Sequence, residues 1–137
     1  MGIVVVMEFM QIALEQARIA ARKGEVPIGA VIVRGGRVIA KAHNMREKKQ
    51  NALAHAEVLA INRACRRLKS WRLETCEMYV TLEPCAMCMG AATNARLGKV
   101  YYGAPSETDL NWNIQTELVA CPECGKVLKD FFKAKRD

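Results

Sequence analysis

The sequence predicts an α/β domain: a single mixed sheet of roughly five strands with helices packed on both faces. Three observations carry that prediction. Helical and strand periodicities alternate along the chain in the order α-β-β-α-β-α-β-(β)-α. A glycine pair, Gly35-Gly36, splits two apolar runs into a tight hairpin, because glycine tolerates positive φ. Hydrophobic residues make up 51% of the 137 positions, enough for an ordinary core. A chain of this length is one domain, 1–137, and buries roughly two-thirds of the surface it exposes when unfolded.

The elements follow in order. From Glu8 to Ala21, residues Phe9, Ile12, Ala13, Ala17 and Ala20 recur at helical spacing, and Gly24 offers a stop. The preceding stretch, Met1 to Met7, is apolar but lacks the basic start and cleavage site of a signal peptide. Residues 1–6 read either as an edge strand or as an upstream start, with Met7 the natural first residue. Segments Ile28–Val33 and Val38–Lys41 flank the hairpin glycines. A charged loop, Met45 to Gln50, leads to a helix from about Ala52 to Leu68. Met78 to Leu82 is a short strand. Pro84 suits the first turn of a helix that runs to about Arg96 and stops near Gly98. Val100 to Gly103 is another strand, Ile114 to Val119 a weaker candidate, and Cys121 to Lys135 a terminal helix. No repeat or linker divides the chain, and no apolar run approaches the ~18 residues of a transmembrane span.

Chemistry concentrates in two short segments, His55-Ala56-Glu57 and Pro84-Cys85-Ala86-Met87-Cys88. They offer one imidazole, two thiols and one carboxylate. A catalytic zinc takes three protein ligands and leaves its fourth position to water. His55, Cys85 and Cys88 supply the three, and Glu57 stands close enough to reach the water without binding metal. Both halves fall at helix starts, where free N–H groups and the helix dipole are expected to favour thiolate. Positions three apart share a helix face, so Cys85 and Cys88 converge on one ion. A structural zinc would want a fourth protein ligand. Cys76 is the nearest, and its place just before a strand gives it no clear path to the metal.

Charge adds a second, weaker signal. Lys and Arg number 21 against 14 Asp and Glu, a formal +7. Such a balance favours polyanions, nucleic acid first among them, though a merely soluble basic surface reads the same way. Lys133, Lys135 and Arg136 at the end of the chain are candidate phosphate contacts, as are Arg63, Arg66, Arg67, Lys69 and Arg72. The six cysteines read as reduced thiols of a cytoplasmic protein rather than as three disulfides, since no export signal is visible and the core needs no staples.

The His-x-Glu and Pro-Cys-x-x-Cys pair matches the signature of zinc nucleobase deaminases. Further segments resemble the bacterial tRNA-specific adenosine deaminases in particular: Pro27-Ile28-Gly29-Ala30-Val31, Ala42-His43-Asn44, Ala54-His55-Ala56-Glu57, Trp71-Arg72-Leu73-Glu74, Tyr79 to Cys85, Gly90-Ala91 and Lys129-Asp130-Phe131-Phe132. The resemblance implies a three-layer α/β/α cytidine-deaminase-like fold and one catalytic Zn2+ per subunit. It implies His55, Cys85 and Cys88 as ligands, Glu57 as proton shuttle, and Asn44 with the Ala56 backbone as substrate contacts. It further implies a homodimer acting on the wobble adenosine of a tRNA anticodon loop. Two departures stand out. The family usually carries Asp-Pro-Thr where this chain has Asn51-Ala52-Leu53. After Gly103, Pro105-Ser106-Glu107-Thr108-Asp109 leads almost directly to Asn113 and Ile114, a shorter path than the family's.

Other readings stand beside these. A free base such as guanine or cytosine is the alternative substrate, and a non-catalytic zinc- or RNA-binding subunit the alternative of another class. Asn44 suits a turn as well as a substrate contact. His43 reads as a strand-end residue rather than a ligand. Cys121-Pro122-Glu123-Cys124, a second Cys-x-x-Cys, reads as two unliganded thiols at a helix start, against half a zinc site or a redox pair. Met87, Met89, Trp71, Trp112, Tyr101 and Tyr102 are expected in packing roles.

Overall fold

In the computed structural model residues 2–107 and 112–136 are described, the side chain of Arg136 excepted. Ten elements follow one another: α1 (Ile3–Arg22), β1 (Gly29–Arg34), β2 (Arg37–His43), α2 (Arg46–Lys49), α3 (Ala56–Leu68), β3 (Cys76–Val80), α4 (Ala86–Asn94), β4 (Lys99–Tyr102), β5 (Gln115–Leu118) and α5 (Pro122–Arg136). The five strands form one sheet in the order β2-β1-β3-β4-β5. β1 runs antiparallel to β2 and β3, whereas β3, β4 and β5 are parallel. The sheet is therefore mixed, as expected.

Alternation along the strands builds two cores. Ala30, Ile32, Met78, Val80 and Val100 face one side, where Ala56, Ala60 and Ala64 of α3 and Met89 and Ala92 of α4 cover them. Val31, Val33, Tyr79 and Tyr101 face the other, against Val6, Phe9, Met10, Ala13 and Leu14 of α1 and Cys121 and Cys124 beside α5. Period-two strands between period-3.6 helices give the three-layer α/β/α arrangement directly. The Tyr79 and Tyr101 rings stack at 4.5 Å, and Phe9 meets Tyr79 at 5.3 Å.

Several boundaries differ from the sequence expectation. Residues Ile3 to Val6 are not a strand but the first turn of α1, with Val6 in the core. The expected charged loop contains the four-residue helix α2. α3 starts at Ala56 and not Ala52, because Asn51 turns the chain back through its side chain onto the Leu53 N–H at 2.9 Å. α4 starts at Ala86, two residues after Pro84. The stop at Gly24 holds: its φ is +76°, and Gly24 and Glu25 donate to Ala21 and Ala20 at 3.1 and 2.9 Å. That is the closing pattern of a helix ended by a left-handed residue.

One close approach brings α1 onto the sheet. A Cβ on Gly29 would overlap the Ala13 carbonyl oxygen and stand 2.6 Å from the Ala17 nitrogen. The ends of β2 and β3 and the start of β1 lie together, since Gly29 pairs with His43 and Ala30 with Val80. Ile28, Asn44 and Thr81 thus emerge at one edge of the sheet, at the carboxyl end of its parallel strands. Open α/β sheets commonly bind ligands there.

Candidate metal centre and base pocket

Two helix starts meet at that edge. His55 immediately precedes α3 and Cys85 immediately precedes α4, both with extended backbone. Cys88 lies one turn into α4 and is buried, while Cys85 is exposed. His55 Nδ1 stands 3.8 Å from Cys85 Sγ and 3.5 Å from Cys88 Sγ. The three donor atoms lie within 4.8 Å of one another, the one such cluster among the described residues. Tetrahedral zinc, with bonds of about 2.3 Å to sulfur and about 2.0 Å to nitrogen, separates its ligand atoms by roughly 3.5–3.8 Å. The cluster fits a metal. Cys76 lies buried in β3, outside it.

The protonation states need more than the helix ends supply. Burial holds the His55 imidazole below its ordinary value, with the Arg46 charge acting the same way, so the metal-binding neutral form prevails. Burial pushes the Cys88 thiol well up, and Glu57 and Cys85 add to the rise. The expectation that the helix start would by itself favour thiolate at Cys88 is therefore corrected: desolvation beside a carboxylate wins. A bound cation reverses that balance, because coordination deprotonates a thiol outright.

Glu57 is buried, with 3% of its surface exposed, and its Oε1 has no hydrogen-bond partner. Burial raises its carboxyl, opposed by its own backbone N–H and by the Cys88 thiol. An orphaned buried oxygen carries a desolvation cost, so such an atom calls for an explanation. Here it borders two adjoining cavities. One, about 90 Å³, is lined by Val26, Ile28, Asn44, Arg46, His55, Ala56 and Glu57. The other, about 150 Å³, is lined by Ile28, His55, Glu57, Leu82, Glu83, Cys85 and Ser106.

Asn44 takes its expected turn position and also lines the smaller cavity. It is 6% exposed, donates through Nδ2 to the Val26 carbonyl at 3.4 Å, and accepts from the Arg46 N–H at 3.2 Å. A primary amide retains one N–H and one lone pair beyond those two bonds. Ala56, fully buried, opens α3 on the same wall. His43 ends β2 with Nδ1 at 3.2 Å from Gln16 Oε1, away from the sulfurs.

Sequence reasoning missed two members of this region. Glu83 accepts the Ser106 N–H at 3.0 Å, and its own N–H reaches the Ala104 carbonyl at 2.9 Å, tying the segment after β4 to the Cys85 turn. Glu25 accepts the Glu47 and Lys48 N–H groups at 3.1 and 2.8 Å and so holds α2. Glu25 lies in no recognisable pattern, and Glu83 lies within the Tyr79 to Cys85 segment with no role assigned to it. The one available signal was an acidic residue beside a chain reversal.

The candidate phosphate contacts divide. Arg63 and Arg67 donate to the carbonyls of Lys41 and Ile39 at 2.7 and 3.1 Å, satisfying the outer edge of β2, and Arg72 pairs with Glu74 at 3.1 Å. Lys133 and Lys135 are exposed on α5, Lys135 over the Phe131 ring at 5.1 Å, and neither lines the two cavities. The Arg136 side chain, Thr108 and Asp109 lie outside the described residues. Cys121 and Cys124 are joined by a disulfide, which corrects the reading of them as unliganded thiols. Met89, Tyr101 and Trp112 take packing positions, whereas Trp71 is 56% exposed.

The model of the MafB19-like deaminases matches residues 6–136. The chain belongs to that deaminase family. Among relatives, a protein of Rickettsia bellii named tRNA-specific adenosine deaminase is 53% identical over 93% of this chain and 100% of its own. Its Bacillus subtilis counterpart of the same name is 46% identical over 93% of this chain and 89% of its own. A solved structure from a study of A-to-I editing by tRNA:A34 deaminases superposes with a TM-score of 0.82. It is 36% identical and covers 89% of this chain and 99% of that one. The mixed five-stranded sheet of the deaminase is thus the fold of that neighbour. The Bacillus alignment runs over 143 positions while using 93% of this 137-residue chain, so that relative carries residues without a counterpart here. No described helix is long and apolar enough to cross a membrane.

Proposed function

We propose that this deaminase is zinc-dependent and converts adenosine to inosine at the wobble position of tRNA, acting in the cytoplasm as a homodimer. The observation that carries the chemistry is the buried, unpartnered Glu57 Oε1 at the wall of cavities shared with three metal-binding donors. Relatives named tRNA-specific adenosine deaminase, at about half identity and nearly full coverage, support the substrate. An anticodon loop is already partly unstacked, which lowers the cost of turning the base outward.

His55, Cys85 and Cys88 would hold the zinc, which when bound makes hydroxide available near neutral pH. Glu57 takes the proton that the attacking water gives up. As oxygen joins C6 of adenine, Glu57 passes that proton to the ring nitrogen. It carries a second proton from the new C6 hydroxyl to the amine, the C6–N6 bond breaks as the carbonyl forms, and ammonia leaves inosine behind. A carboxylate suits the task because it accepts and returns protons without moving. The spare N–H and lone pair of Asn44, with the backbone at Ala56, orient the nucleoside. An apolar groove of about 210 Å³ between α3 and α4, lined by Val58, Ile61, Cys65, Trp71, Ala91 and Ala95 among others, supports association of two copies.

The test is an anticodon stem-loop with a wobble adenosine, run beside free guanine, cytosine and adenine. Inosine in the RNA alone is the expected result. Ammonia from a free base, with the RNA untouched, would transfer the site to nucleobase chemistry.

A further inference from the structure

Several described cations of this chain are committed to protein partners near them, and one that is not stands at the mouth of the site. Arg63 and Arg67 serve the β2 edge; Arg22, Arg72, Lys99 and Lys126 pair with carboxylates. Arg46 lines the same cavity as His55, Ala56 and Glu57, is exposed, and has no carboxylate in ion-pair reach among the described residues. Lys48 and Lys49 share its single turn of helix, against one acid, Glu47.

This turn is held by design of the fold rather than by its own length. Four residues of helix are marginal without outside support. Three of its backbone N–H groups end on side chains: Arg46 on Asn44 Oδ1, Glu47 and Lys48 on the two oxygens of Glu25. Glu25 is 3% exposed and is itself placed by the left-handed stop of α1. A buried carboxylate spent wholly on backbone donors fixes the turn without neutralising its side chains. Lys23, Lys48 and Arg63 together depress the His43 imidazole after burial does, so the positive field runs back along this edge.

A polynucleotide whose base enters the cavity must bring its flanking phosphates past the rim. We infer that Arg46, presented on the turn that Glu25 and Asn44 pin, is the phosphate-binding residue that seats the target nucleotide. The inference rests on the polynucleotide reading above and adds the residue that recognises its backbone. Arg46 is the contact, because a guanidinium grips phosphate oxygens in a fork. Glu25 acts through it, as a positioning residue.

The experiment measures deamination of the anticodon stem-loop by wild type, Arg46→Gln, Arg46→Lys and Glu25→Gln across a salt series. Arg46→Gln should raise KM about tenfold with kcat within about twofold, the pattern of lost uniform binding. Its slope of log affinity against log salt should shrink by about 0.7, one single-strand phosphate contact. Arg46→Lys should recover part of KM and the slope, and Glu25→Gln should move both toward the Arg46→Gln values with metal content unchanged. A second measurement has a first arm on wild type alone. Methylphosphonate placed at each phosphate around the adenosine should weaken wild type at one position and leave Arg46→Gln indifferent there. Additive losses at every position, or an unchanged KM and slope in Arg46→Gln, would overturn the inference. Wild type silent on the stem-loop overturns the parent reading too, and shows before any variant is made.

Discussion

Two Cys-x-x-Cys pairs open two helices in this molecule, and they end in different chemistry. Cys85 precedes α4 and Cys88 lies in its first turn; Cys121 precedes α5 and Cys124 lies in its first turn. The first pair faces His55 across the start of α3, and its sulfurs stay separate. The second faces Gly103 at the end of β4, with no imidazole near, and its sulfurs join each other. Spacing on a helix brings two thiols to one side, but the third donor decides what they do. Here that donor comes from a helix 30 residues away in sequence and adjacent only in the fold.

Removing thiols from each pair should give the largest contrast. Cys88→Ala is expected to lose stoichiometric zinc and all deamination, because two ligands do not hold a catalytic ion. The double variant Cys121→Ala with Cys124→Ala is expected to keep one zinc per chain and activity within about twofold of wild type, by the same ligand count. Metal analysis of the purified proteins reads both. Zinc lost from the second variant would give the α5 pair a role in the metal site.

Glu57→Ala sharpens the comparison from the other side, by sparing the ligands and removing the acid between them and the substrate. Zinc should stay at one per chain while turnover falls by at least ~10²–10⁴, the usual worth of a placed acid–base group. Zinc loss in this variant would make Glu57 a ligand and leave the cavity without its proton carrier.

This contrast also marks how far the sequence could be read. The metal set was legible because its chemistry is local: an imidazole, a carboxylate two residues on, and a Pro-Cys-x-x-Cys at a helix start. The sheet was legible because Gly35-Gly36 and the two helix stops punctuate strong periodicities. Helix α2 and its Glu25 anchor were not, since a four-residue helix has no period and the anchor acts over more than 20 residues of chain. The Cys121–Cys124 pairing was missed for a related reason. The motif is the same in one dimension, and only the packing against β4 separates its surroundings from those of Cys85 and Cys88. Arg63 and Arg67 read as candidate phosphate contacts in the sequence, whereas β2 is an edge strand whose carbonyls they reach.

Gly103 offers a test of that packing. A Cβ there would stand 2.7 Å from Cys124 Sγ, 3.1 Å from Cys121 Cβ and 3.2 Å from Cys124 Cβ. Gly103→Ala should cost about 1–3 kcal/mol of stability, the usual range for overpacking. In the Cys121→Ala, Cys124→Ala background the sulfur contact is gone while the Cβ contacts remain, so part of the cost should return. A coupling of about 0.5–2 kcal/mol in this cycle, read by denaturant unfolding, is expected for groups in contact. Strict additivity would place the α5 pair away from β4.

The smallest effect concerns the chain's second histidine, which the third-donor argument requires to be idle toward metal. His43→Gln should leave zinc at one per chain, because His43 sits against Gln16 and Lys23 rather than the sulfurs. Its pKa is nonetheless lowered from 6.5, by burial first and then by Lys23 and Arg63. The folded chain therefore binds fewer protons at this site than the unfolded one just below pH 6.5. Stability attached to the neutral ring is complete above that value and is lost as pH falls through 6.5 toward the lower folded value. His43→Gln removes that slope, so its Tm should fall less than wild type's between pH 7.5 and pH 5.5. Acid release of the metal is common to both proteins and cancels in the difference. Equal Tm losses would mean that neither burial nor the cations around His43 depress its pKa in the folded chain, while zinc loss in the variant would end the assignment of His55 as the sole histidine donor.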